Sequence, residues 1–152
     1  VLLCRWTAEQ FSLHLRGKQY AALPVLLRHV TRTCCSGDNV PAFWQALGFA
    51  PRFQLLRRGR RFLVPGEAGE VEVSVCRLLR LPPPAADGTL LSAAALQQAE
   101  ELSPGRLLVE AAACVPPDAD PMAGVGAVTA LAALLQPHTS LQRPPRAPGE
   151  PL

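Results

Sequence analysis

The chain has 152 residues, a hydrophobic share of 49% and a net charge of +3. That length suits one domain with a core of its own, and that hydrophobic share argues against wholesale disorder. The charge is modest, Lys18 is the single lysine and Ile is absent, so the arginine richness reads as a GC-rich composition before it reads as a nucleic-acid footprint.

The cysteines are Cys4, Cys34, Cys35, Cys76 and Cys114. An odd count, two of them adjacent and no Cys-x-x-Cys spacing, excludes a disulfide scaffold or a zinc site on pattern and points to thiols in a reducing compartment. At the start, Val1-Leu2-Leu3 runs at once into Cys4, Arg5 and Trp6, which lacks the apolar core of a secretory signal. Because the first residue is not Met, the natural N-terminus is expected further upstream.

In chain order, residues 1–6 form a short apolar strand. Phe11, Leu13 and Leu15 alternate with Ser12, His14 and Arg16, a period-two strand that stops at Gly17. Residues 25–34 read as a strand through Val30, Thr31 and Thr33, with a one-turn helix at its start as the alternative. Ser36-Gly37-Asp38 is a turn. A helix over 40–47 follows: Asp38 or Asn39 caps it, Pro41 suits its first turn, and Gly48 supplies a left-handed stop. Val40, Phe43, Trp44 and Leu47 recur on one face, and Phe49 folds back onto it.

Arginine dominates the next stretch. A strand over 52–57, a turn at Gly59 and a return strand over 60–64 make a basic hairpin, followed by an exposed turn at 65–69 and a strand over 70–81. Val71, Val73 and Val75 alternate with Glu70, Glu72 and Ser74. The alternation places Arg77 on the apolar side, so either a bulge resets the register or this face lines a partly polar lumen. Residues 82–104 are long for a connection and read as a loop insertion, mobile or lightly docked, with a short helix capped by Ser92. A strand over 107–115 comes next. Asp120 then caps a helix over 121–136 with a buried stripe of Val125, Val128, Leu131, Ala132 and Leu135, and Pro137 ends it. Its apolar run is too short for a membrane span, which takes about 20 residues. Residues 137–152 are a Pro-rich, disordered tail. The whole is a mainly β chain, a single domain over 1–136. The sheet is antiparallel, either an open barrel or strongly curved, with two flanking helices.

The order of these elements resembles one family, subunit 18 of the Mediator complex of RNA polymerase II transcription. The resemblance rests on a helix ending in Gly-Phe at Asn39–Phe49, a basic Gly turn at Arg57–Arg61, and a strand Val-Ser-Val-Cys-Arg-Leu-Leu-Arg-Leu at Val73–Leu81. It is good over 11–81 and looser over 105–136. The family carries a further N-terminal helix and strand, which leaves the barrel expected here open. The resemblance implies a nuclear, non-catalytic structural subunit of the Mediator head. That coregulator bridges activators and RNA polymerase II, and the subunit would pair with subunit 20 and hold the C-terminal helix of subunit 8. It carries over no partner-contact residue.

No catalytic, cofactor or metal residue is assigned. His14, His29 and His138 fall on separate elements without nearby ligand spacing. No Gly-x-Ser-x-Gly elbow and no Gly-x-x-x-x-Gly-Lys loop occurs. Arg57, Arg58, Arg60 and Arg61, extended by Arg16, Arg52, Arg77 and Arg80, offer planar donor forks to phosphates or to an acidic segment, against the plainer reading of a solvated hairpin tip. The Mediator subunit is similar in fold to the triphosphate tunnel enzymes, whose first strand carries Glu-x-Glu-x-Lys for a metal and a phosphate. Glu70 and Glu72 echo that motif, but Ser74 stands in the Lys position and Val occupies the intervening sites. A tunnel-fold phosphohydrolase and an Arg-mediated nucleic-acid binder are therefore the alternatives to the interaction subunit.

Overall fold

The structure is a computed structural model, and it describes residues 6–14, 20, 22–37, 39–66, 69–82 and 93–144. Strands β1 (Trp6–His14) and β2 (Arg28–Cys35) precede helix α1 (Val40–Ala46). Strands β3 (Gln54–Gly66) and β4 (Gly69–Leu81) follow, then α2 (Ala93–Gln97), β5 (Glu100–Glu101), β6 (Leu108–Ala113) and α3 (Pro121–Leu135). The fold is mainly β, as expected. β1 and β2 form one sheet; β3, β4 and β5 form another in that order, with β6 also paired to β4. Neither sheet is closed, which is the open, curved-sheet form of the expectation, with helices beside the strands.

The β1–β2 and β4–β5 pairings are antiparallel. The His29 amide donates to Ser12 Oγ at 3.0 Å, and Arg32 Nε donates to Glu9 Oε1 at 2.8 Å, so one strand's number rises as the other's falls. β5 pairs Leu79 with Glu101 and Arg80 with Glu100, and the Leu102 amide carries the ladder on to the Leu78 carbonyl at 2.9 Å.

Two compact units divide the chain, interleaved so that no boundary in sequence separates them. The first draws on Val1–Gln10, Val30–Arg60 and Val75–Leu108. Its buried apolar side chains are Val40, Cys76, Leu79 and Leu81. The second draws on Phe11–His29, Arg61–Ser74 and Val109–Leu152, and buries Val71, Val73, Val125 and Leu131. β4 supplies three of the first set and two of the second: Val71, Val73, Leu79 and Leu81 stand on one face of the strand and Cys76 on the other.

Several expectations are corrected. The Arg-rich segment is no hairpin: β3 runs unbroken from Gln54 to Gly66 through Gly59. Gly59 is present for a close approach, since a Cβ there would overlap the Val75 carbonyl oxygen and Cys76. A glycine inside a strand marks just such contact between backbones. The reversal comes between Gly66 and Gly69, and Gly69 takes φ +114°. Where strands are expected over 1–6 and 11–16, the described residues carry one continuous strand, Trp6–His14, that also takes in residues 7–10; residues 1–5 and 15–19 lie outside the described residues. In β4, buried Val71, Val73, Leu79 and Leu81 keep one parity, and buried Cys76 stands on the other. Arg77 keeps the valines' parity yet is exposed, its Nη1 2.7 Å from Glu101 Oε1.

The far end of the 82–104 insertion is lightly docked, one of the two forms expected for it. Residues 83–92, with the Ser92 cap, lie outside the described residues, but β5 docks its far end on β4 through a ladder and an ion pair. Two residues of strand carry no periodic signal, so this docking had no pattern to announce it. α3 spans the expected helix, but of its expected stripe only Val125 and Leu131 are buried, with Val128, Ala132 and Leu135 half-buried. Asp120 Oδ1 accepts from the Met122 amide at 2.9 Å, and Gly124, Val125 and Leu131 are buried. Gly124 lets the helix approach Val115 closely, because a Cβ there would press on the valine's Cγ2. Beyond it, residues 139–144 carry no helix or strand. Arg143 Nη1 donates to the carbonyls of Tyr20 and Leu23 at 3.4 and 3.3 Å, which tethers this part of the expected tail; residues 145–152 lie outside the described residues.

Candidate functional site

α1 is built as its sequence requires. Asn39 Oδ1 accepts from the Ala42 amide at 3.1 Å, Pro41 sits in the first turn, and Gly48 closes the end at φ +91°. This left-handed stop turns Phe49 back, so that its amide reaches the Trp44 carbonyl at 3.1 Å. The rings follow: Trp44 meets Phe49 edge-on at 5.1 Å between centroids, and Phe43 meets Trp44 at 5.8 Å. Edge-to-face pairs of this kind place ring hydrogens on the electron-rich face of a neighbour.

These rings are not a core. Within the first unit, Phe43 is 58% and Phe49 61% exposed, whereas Val40 alone on the helix is buried. A cleft of about 540 Å³ opens beside them. Trp6, Val40, Pro41, Trp44 and Phe49 supply its apolar lining; Thr7, Glu9, Gln10, Thr31 and Thr33 supply its polar side. Glu9 is the one carboxylate in that lining, and Arg32 holds it at 2.8 Å. A paired acid with no titratable neighbour in the cleft is a poor proton relay, while aromatic walls suit the burial of apolar side chains.

The same exposure recurs across the chain. All five phenylalanines are exposed: Phe11, Phe43, Phe49, Phe53 and Phe62, from 48% to 69%. Among the described residues, fourteen large hydrophobic side chains are exposed and eight are buried, and none of the buried ones falls below 2% exposure. Phe ranks with the residues most often found wholly inside a folded chain. Sequence reasoning assigned no partner-binding residue, although the 40, 43, 44, 47 spacing marks this face. What the spacing lacks is any sign of whether the chain covers the face itself.

The arginine cluster lies on a strand and not at a tip. Arg57, Arg58, Arg60 and Arg61 are all exposed on β3, and alternation sends Arg58 and Arg60 to one face, Arg57 and Arg61 to the other. In the second unit, Arg61 Nη1 lies 3.4 Å from Glu72 Oε2. Glu72 is thus engaged by a cation of its own strand pair, and Glu70 is exposed. Among the described residues, no group of three or more His, Cys, Asp or Glu side chains is placed to hold a metal ion. His14, His29 and His138 fall on β1, on β2 and on the turn after α3. Cys34, Cys35, Cys76 and Cys114 form no disulfide among the described residues. No helix of the structure is long and apolar enough to cross a membrane. In comparison with known proteins, no family model, no curated protein and no solved structure matches this chain.

Proposed function

We propose that this chain is a non-catalytic interaction subunit, acting in the nucleus as part of the head of the Mediator complex. It bridges transcriptional activators and RNA polymerase II through protein contacts alone. The observation that carries the interaction role is the exposure of every phenylalanine in a chain whose own core is thin. Apolar surface on that scale marks a face that a partner covers. The Mediator assignment rests on the order of motifs over Asn39–Phe49 and Val73–Leu81, and the mainly β, unclosed sheets support it, whereas the basic Gly turn expected at Arg57–Arg61 is a continuous strand. The partners are subunit 20, a related barrel, and the C-terminal helix of subunit 8.

Co-expression with the same organism's subunit 20 and the tail of its subunit 8, followed by size-exclusion chromatography, tests the assignment. A stoichiometric co-eluting complex is the expected result. A monodisperse chain that ignores both partners removes the Mediator assignment while leaving the exposed rings to be explained by another partner.

A further inference from the structure

β3 is the last strand on its side of the second sheet. Along its first half, Gln54–Arg60, the outer backbone edge has no strand beside it among the described residues. Such an edge presents unpaired amides and carbonyls at the spacing another strand needs. Arg58 and Arg60 stand on one face of this edge, and both are exposed. They make no ion pair with another described residue.

Nothing on the neighbouring strand answers them. The adjoining part of β4, Val75–Leu81, contains no carboxylate and adds Arg77 and Arg80. Of the acids on the neighbouring strands, Glu72 on β4 is engaged by Arg61, and Glu101 on β5 is engaged by Arg77. Two guanidinium groups at i and i+2 are spaced by about 6.6–6.8 Å along a strand. Carboxylates at alternate positions of an added strand share that repeat, and each can take the two parallel hydrogen bonds of a guanidinium fork.

We propose that the outer edge of β3 over Gln54–Arg60 receives an extended acidic peptide segment from a partner protein. The segment adds as a strand, with carboxylates at alternate positions facing Arg58 and Arg60 and uncharged residues on the opposite face, which Leu55 shares with Arg57. Leu55 is itself 42% exposed. A phosphate backbone meets the same charges but has no amides or carbonyls to complete a strand edge, which favours a peptide over a nucleic acid. This inference is independent of the aromatic face and of the Mediator assignment.

The test is fluorescence anisotropy with the full chain and labelled peptides of alternating Glu and Val. The acidic peptide is expected to bind, more weakly as salt rises. Arg58→Gln with Arg60→Gln is expected to lower the affinity by about tenfold or more without moving the thermal midpoint. A peptide with Pro at its centre is expected not to bind, because it lacks the amide that the edge requires. Equal binding by the Pro peptide overturns strand addition, whatever the fate of the Gln variants. Tighter binding of a single-stranded DNA oligonucleotide reassigns the edge to nucleic acid. No binding by any probe leaves the arginines as guards against edge pairing and overturns the proposal. None of these outcomes depends on whether subunit 20 co-elutes.

Discussion

Trp44 and Phe49 show how one residue can be ordered and still be open to solvent. Phe49 is fixed by Gly48, by its amide bond and by the Trp44 ring, yet more than half of it faces water. Truncating such a side chain removes little buried area. Phe43→Ala and Phe49→Ala are therefore each expected to cost under about 1 kcal/mol in chemical denaturation. Val73→Ala, at a site 6% exposed, is expected to cost about 2 kcal/mol in the same assay. Equal losses at the three sites would mean that the rings are core after all. At the start of α3, Asp120→Ala removes the acceptor of the Met122 amide, and a loss of about 1 kcal/mol is expected. This cap, the Asn39 cap and the Gly48 stop were all legible in the sequence, because each is a local rule satisfied within four residues.

At the scale of elements, the sequence misled where one residue type serves two purposes. Gly59 between arginine pairs looks like a turn, but its role is set by Cys76, seventeen residues away, against which it packs. Only the strand pairing reveals that. Gly59→Ala forces a methyl group into the β4 backbone and is expected to destabilise the chain by about 1–3 kcal/mol, read from the thermal midpoint. A neutral outcome would restore the turn. By contrast, Glu101→Ala breaks an ion pair whose partners are 53% and 28% exposed. Its expected cost is under about 1 kcal/mol, and smaller still at high salt. β5 would then be held mainly by its backbone ladder. The buried parity of Val71, Val73, Leu79 and Leu81 in β4 was readable, whereas the burial of Cys76 on the other face was not. The exposure of Arg77 was not, because its partner comes from a two-residue strand in an apparent insertion.

For the molecule as a whole, the mainly β fold could be read from patterns of alternation, turn residues and caps. The exposure of its aromatic side chains could not. An amphipathic helix and an apolar strand are written the same way whether the covering layer comes from the same chain or from another. The free native chain is expected to light up an apolar fluorescent dye, and complex formation is expected to quench the signal. A native chain that leaves the dye dark would contradict the exposed rings. The exposure of every phenylalanine also bears on turnover in the cell. Chaperones and proteases triage chains that display apolar surface, so on the interaction role proposed above, copies made in excess of a covering partner are expected to be recognised as orphans and removed. Depleting subunit 20 is then expected to lower the abundance of this chain, read by quantitative immunoblot, and an unchanged level would count against that role.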